Sequence, residues 1–156
     1  MNQTFGGCIS ITDLTCIENW NTSKVEKMNA LFQSSGDNSA DMKLNKIDLS
    51  KWDTSSLKYA NHMFYGCAQL EELDLNNWDM SKVWDVNHMF ADCQKLKTLK
   101  ISNWDVSNCA LFYAMFNDCR GLEVIDLSGW NTKGARIMSQ MFENCLSLKK
   151  IIGIEN

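Results

Sequence analysis

Residues 67–92 read CAQLEELDLNNWDMSKVWDVNHMFAD, and two blocks of the same length follow the same pattern. Residues 93–118 are CQKLKTLKISNWDVSNCALFYAMFND and residues 119–144 are CRGLEVIDLSGWNTKGARIMSQMFEN. Cys67, Cys93, Cys119 and Cys145 are 26 residues apart, as are Trp52, Trp78, Trp104 and Trp130. A self-similar period of ~20–50 residues marks an array of stacked units sharing one continuous core. Aligned backward, residues 41–66 and 9–34 are earlier units. Between them lies the polar insertion 35–40, SGDNSA, whose Gly and small polar residues read as an edge loop. Residues 145–156 carry the strand part of one more unit, so residues 1–156 read as a single repeat domain.

The apolar period changes partway through each unit. Leu70, Leu73 and Leu75 fit L-x-x-L-x-L, matched by Leu96, Leu99 and Ile101, by Leu122, Ile125 and Leu127, and by Leu44, Ile47 and Leu49. Alternation at the end of that pattern predicts a short strand, and strands that return once per turn in the same direction pair in parallel. After the Trp, Val83, Val86, Met89 and Phe90 fall at i, i+3, i+6 and i+7, the spacing of one helical face. The expected fold class is therefore an α/β solenoid, leucine-rich-repeat-like, with one short parallel strand and one short helix per 26-residue turn.

Asn21, Asp53, Asp79, Asp105 and Asn131 follow the Trp, usually with Ser two positions on, and read as turn and cap residues. Thr12 and Thr15 stand where inner units carry Leu or Ile, as in a degenerate N-terminal cap. Ile151, Ile152 and Ile154 are expected near an open end, covered by further repeats in a longer array or by a partner or second copy.

A net charge of −4, with both signs mixed, gives no basic stripe for nucleic acid. No apolar run approaches the ~18 residues of a membrane span, so no membrane insertion by this segment is expected. MNQTFGGCISIT has neither a basic start nor a long apolar segment, and so is not a signal peptide; Phe5-Gly6-Gly7-Cys8 lacks the apolar lead of a lipoprotein box. Seven cysteines are an odd number and cannot all pair within the chain.

Candidate sites are few. The Cys67, Cys93, Cys119, Cys145 column has no C-x-x-C spacing for a metal; stacking would bring neighbours to ~5 Å, within disulfide range, but the column reads first as buried thiols packing as small hydrophobes. His62 and His88 share a repeat position, but Ala114 and Gln140 continue it; they read as surface residues at a helix edge, with no metal. The Trp column reads as core, and Trp84, outside it, as an exposed contact residue. Outward strand positions form the candidate binding face: Lys46, Asp48 and Ser50; Glu72, Asp74 and Asn76; Thr98, Lys100 and Ser102; Val124, Asp126 and Ser128. Lys100 interrupts the Asp row, which excludes a continuous calcium ladder. A solvated face that binds nothing is the plain alternative. Asn2-Gln3-Thr4 and Asn21-Thr22-Ser23 match the glycosylation sequon, though Asn21 fills a turn position. No P-loop, Gly-x-Ser-x-Gly or His–Cys pair is present, so neither an enzyme nor a cofactor is expected.

The recurring L-x-x-L-x-L/I-x-x-W-[DN]-x-[ST]…M-F-x-x-C closely resembles the BspA-type leucine-rich repeats of bacterial and parasitic cell-surface proteins. The resemblance runs from about Ile9 to Ile152 and departs at Thr12 and Thr15, and where Ser35 or Asp41 replaces the Cys. It implies a non-catalytic adhesion or protein-binding module, at the cell surface or secreted, with a protein ligand of host or matrix origin. The missing export signal and the many thiols leave an intracellular, cytoplasmic scaffold or inhibitor as the alternative.

Overall fold

A computed structural model describes residues 1–34 and 42–154. The insertion 35–40 and Asp41, where the second unit begins, lie outside the described residues.

The alternating positions of the middle units form strands where the pattern places them: β1 (Glu72–Asp74), β2 (Thr98–Lys100), β3 (Val124–Asp126) and β4 (Lys150–Ile152). β1 pairs with β2 and β3 with β4, in parallel, with Leu73 opposite Leu99 and Ile125 opposite Ile151. The register is thus one repeat, and a slip of one residue would turn Leu99 to solvent. Residues 46–48, expected to be a strand, form none. Leu44 and Leu49 there are still buried, and the Glu71 N–H reaches the Asn45 carbonyl at 3.1 Å.

The expected helix is absent, and so the α/β solenoid reading is corrected. Among the described residues the helical structure is a three-residue 3₁₀ turn, Ile17–Asn19, in the first unit. After each Trp the chain instead runs through successive tight turns. In residues 86–93 the N–H groups alternate between two destinations, except that Asn87 donates to the Asp85 side chain. Met89, Ala91 and Cys93 donate three residues back, to Val86, His88 and Phe90, at 3.1–3.2 Å. Val86, His88, Phe90 and Asp92 donate to the next unit, to Leu111, Tyr113, Met115 and Asn117, at 2.8–3.0 Å. No N–H is left for the i→i−4 bond of a helix.

Two columns of left-handed residues enforce this path. Gln3, Ala30, His62, His88, Ala114 and Gln140 have φ of 51–59°, and Gly7, Gly66, Asp92, Asp118 and Asn144 have φ of 57–73°. One left-handed residue ends a right-handed helix, and here there are two per unit. Spacing rules the helix out independently. Helices pack ~8–10 Å apart, about twice the ~4.8 Å between paired strands. The units are hydrogen-bonded at strand spacing on this side too, through the parallel bridges Lys27↔Tyr59↔Asp85↔Leu111↔Ile137. A helix per unit would force the stack apart.

The interior is a set of columns running through the units. Phe5, Phe32, Phe64, Phe90, Phe116 and Phe142 stack with ring centroids 5.2–5.7 Å apart. Trp52, Trp78, Trp104 and Trp130 are buried, as expected, and each indole N–H donates to a carbonyl of the preceding unit at 2.8–3.4 Å. Trp20, in the first unit, is 43% exposed. Burying each ring removes apolar surface from water while the carbonyl satisfies its one polar group.

The residues after the Trp behave as turn formers. Side-chain oxygens of Asn21, Asp53, Asp79, Asp105 and Asn131 accept the backbone N–H two residues on, at 2.9–3.2 Å. Asn21 also accepts the Ser23 hydroxyl at 2.7 Å, so the sequon asparagine is engaged in its turn. Unit 9–34 is not the outermost layer. Residues 1–8 lie beyond it as part of a further unit, with the N–H groups of Gln3, Phe5 and Gly7 on the carbonyls of Asn29, Leu31 and Gln33. Phe5-Gly6-Gly7-Cys8 matches Phe64-Tyr65-Gly66-Cys67, a repeat signal rather than a lipoprotein one.

Candidate functional site

The strand side displays the predicted face. β1, β2 and β3 alternate out, in, out, so Glu72, Thr98 and Val124 form one exposed row, and Asp74 and Lys100, with the half-buried Asp126, a second. Much of the charge there is spent between units. Lys100 bridges Asp74 at 2.8 Å, Lys97 bridges Glu71 at 3.2 Å and Lys149 bridges Glu123 at 2.8 Å. The Lys100 ammonium holds the Asp74 carboxyl below its ordinary value. These pairs are solvent-exposed and add little stability; they match acid to base across neighbouring units.

Asp48 and Asp126 are occupied locally, each accepting the N–H two residues on, from Ser50 and Ser128, at 2.9 Å. The Ser50 and Ser128 hydroxyls, followed by those N–H groups, hold both carboxyls below the usual range. Asn76, just past β1, takes its N–H to Asp74 at 3.2 Å, and its side-chain oxygen is buried with no partner. Among the described residues the row Lys46, Glu72, Thr98 and Val124, continued by Lys150, stands outside the ion pairs. Lys46 and Asp48 also line a shallow groove of about 510 Å³ with Asp13, Leu14, Thr15 and Cys16.

Trp84 lies apart from these rows, on the turn side, 44% exposed. Its indole meets Tyr59 edge-on at 6.3 Å, and the Lys27 ammonium sits 5.3 Å above the Tyr59 ring. The exposed Ile137 continues the bridge column that holds Tyr59 and Leu111. The structure thus divides the predicted residues between two faces of the stack. Tyr59 and Lys27 were not legible as contacts because the sequence places them on a helix that does not form.

The thiols are packing groups. Cys67, Cys93, Cys119 and Cys145 donate to the carbonyls of Phe32, Phe64, Phe90 and Phe116 in turn, at 3.0–3.3 Å. None of the seven cysteines is joined in a disulfide. Burial pushes Cys93 and Cys119 well above the ordinary thiol value and Cys109 up to about 12, conditions that suppress the thiolate and its nucleophilicity.

The histidines correct the expectation of an exposed helix edge. His62 and His88 are half-buried and stacked, with centroids 4.6 Å apart and planes 19° from parallel. Tyr65 and Tyr113 meet the His88 ring edge-on at 6.2 and 4.9 Å. Asp85, beside the pair, accepts from the Asn61 amide at 2.8 Å and from the Asn87 N–H at 3.0 Å. Among the described residues no group of three His, Cys, Asp or Glu is placed to hold a metal ion.

These features define a repeat protein of stacked, parallel, turn-rich units around continuous aromatic columns. The chain belongs to the family described as "Mycoplasma protein of unknown function, DUF285", which matches it over residues 1–73 and 68–154. No curated protein matches it. Among the described residues no helix is long and apolar enough to cross a membrane.

Proposed function

We propose that this chain is a non-catalytic interaction module that binds a protein ligand through the outward rows of its strand side. The observation that carries this is the contrast between columns within one chain. Inward positions repeat, with Leu73, Leu99, Ile125 and Ile151 in one column. The outward neighbours Glu72, Thr98, Val124 and Lys150 change charge and polarity at every step. Stacked repeats of this kind keep a constant frame and vary the surface it displays. The motif's resemblance to BspA-type repeats supports a surface or secreted setting and a ligand of host or matrix origin. Exposed Trp84 offers an aromatic anchor on a second face, the residue type enriched in binding hot spots.

The alternative is an intracellular scaffold or inhibitor. It is favoured by the cysteine column, whose thiols are spent on Phe carbonyls rather than on disulfides.

The test is binding to a panel of purified matrix proteins immobilised on a sensor. Binding by the wild type is expected to fall at least ~10-fold in a Glu72→Ala/Thr98→Ala/Lys100→Ala variant, as for loss of a contact cluster worth ~1.4 kcal/mol or more. Replacing Lys51 and Asp53, exposed at a turn away from β1–β4, should leave it unchanged. Equal loss from both sets would reject the strand-side assignment.

A further inference from the structure

The repeat column Gln3, Ala30, His62, His88, Ala114, Gln140 sits on the hydrogen-bonded seam between units. Where two of its members are histidine, the seam acquires a titratable stack. The His62 N–H donates to the Asn87 carbonyl and the His88 N–H to the Tyr113 carbonyl, both at 2.9 Å. Phe64 and Gly66 continue the first of these seams, donating to Met89 and Ala91 at 2.9 Å. Both histidines hold φ near 55°, a conformation that His tolerates better than most residues.

We propose that the stacked His62–His88 pair is a pH-sensitive latch, closed when both rings are neutral and loosened as the rings take up protons. Two neutral imidazoles stack favourably at 4.6 Å, whereas two imidazolium ions at that distance repel. The His88 Nδ1 atom is buried and has no hydrogen-bond partner, so a proton added there meets no acceptor. The surrounding groups are accounted for. Tyr65 and Tyr113 cover the rings. Tyr65 hydrogen-bonds Asp92, with Asp118 further off. Asp85 favours the charged form of both rings and Asp92 that of His88, but the Asp85 carboxylate already accepts from Asn61 and Asn87.

Burial holds both histidines below their ordinary value, and His88 adds to the effect on His62. The unfolded or opened chain therefore takes up protons first as the pH falls through the ordinary histidine value of 6.5. The seam is at full strength above that pH and weakens below it.

The chain has two histidines, so their ring protons can be followed individually by NMR. Both are expected to titrate below about pH 6.5, with amide exchange measured in parallel near pH 7.5 and 5.0. After correction for intrinsic rates, the amides of Phe64 and Gly66 should exchange at least ~10-fold faster at the lower pH relative to Phe112 and Phe116. Those two amides bond across a seam where Ala114 and Gln140 replace the histidines. His62→Gln/His88→Gln, which places the residue found at Gln140 in both positions, should abolish the difference. Rings that titrate at or above 6.5, equal acceleration at both seams, or a difference that survives the double substitution would each overturn the latch. The wild-type titration and seam comparison decide even if the double variant does not fold.

Discussion

Leu99→Asp is expected to unfold the stack. Leu99 is 6% exposed, lies opposite Leu73 in the parallel register, and belongs to the single core cluster that runs from Ile17 to Met141. A carboxylate there has no cation within the core and must either stay charged without water or pick up a proton. Removing a buried apolar contact and adding an uncompensated charge together cost several kcal/mol, about the ~5–15 kcal/mol that holds a typical domain folded. The cooperative thermal transition seen by circular dichroism should be lost. Thr98→Asp, one residue earlier on the same strand, points outward and should melt within a few degrees of wild type. The pair tests alternation itself. Equal effects of the two substitutions would mean that the strand's inward face has been misassigned.

Trp104→Ala is the second large effect. Trp104 is 1% exposed, stacks on Trp130 at 6.0 Å and on Phe90 at 6.3 Å, and donates its indole N–H to Leu75 at 2.8 Å. Truncating a buried aromatic of this size costs ~3–5 kcal/mol through lost burial and the cavity left behind. Trp104→Phe keeps most of the stacking but strips the Leu75 carbonyl of its partner, so an intermediate loss of ~1–3 kcal/mol is expected. Trp20→Ala, at the exposed member of the same column, should cost clearly less. Denaturant midpoints for the three variants would rank them, and a Trp104→Ala midpoint near wild type would contradict the central spine.

The repeat, its 26-residue register and the inward columns are legible in the sequence because stacking makes each inward residue answer to its own copy in the next unit. Leu73 and Leu99, or Trp78 and Trp104, can be aligned without any structure. The turn side was misread for a physical reason. Buried Val86, Met89 and Phe90 satisfy helical spacing, yet successive tight turns bury the same positions. A sequence signal against the helix exists. Gly7, Gly66, Asp92, Asp118 and Asn144 share one repeat position, and Gly, Asn and Asp are the residues that adopt positive φ most readily. The eight residues from Val83 to Phe90 are also too few to sustain an isolated helix, which needs ~12–15.

The candidate face was legible only in part. Alternation identifies Glu72, Thr98 and Lys100 as outward, and the structure places them so. It could not show that Asp74 is bridged by Lys100, or that Asp48 and Asp126 are held in their own turns. Those are contacts between units, or between a side chain and its local backbone, and composition does not encode them. The His62–His88 stack was half-visible as a shared repeat position. Its burial followed from the turn path that the helical reading had hidden.

Surface display is tested most directly by antibody staining of intact and permeabilised source cells, with a cytosolic protein as the control. Staining of intact cells, with the control dark, is the result expected of an interaction module that meets its ligand outside the cell. Signal that appears only after permeabilisation would contradict that placement and favour the intracellular scaffold.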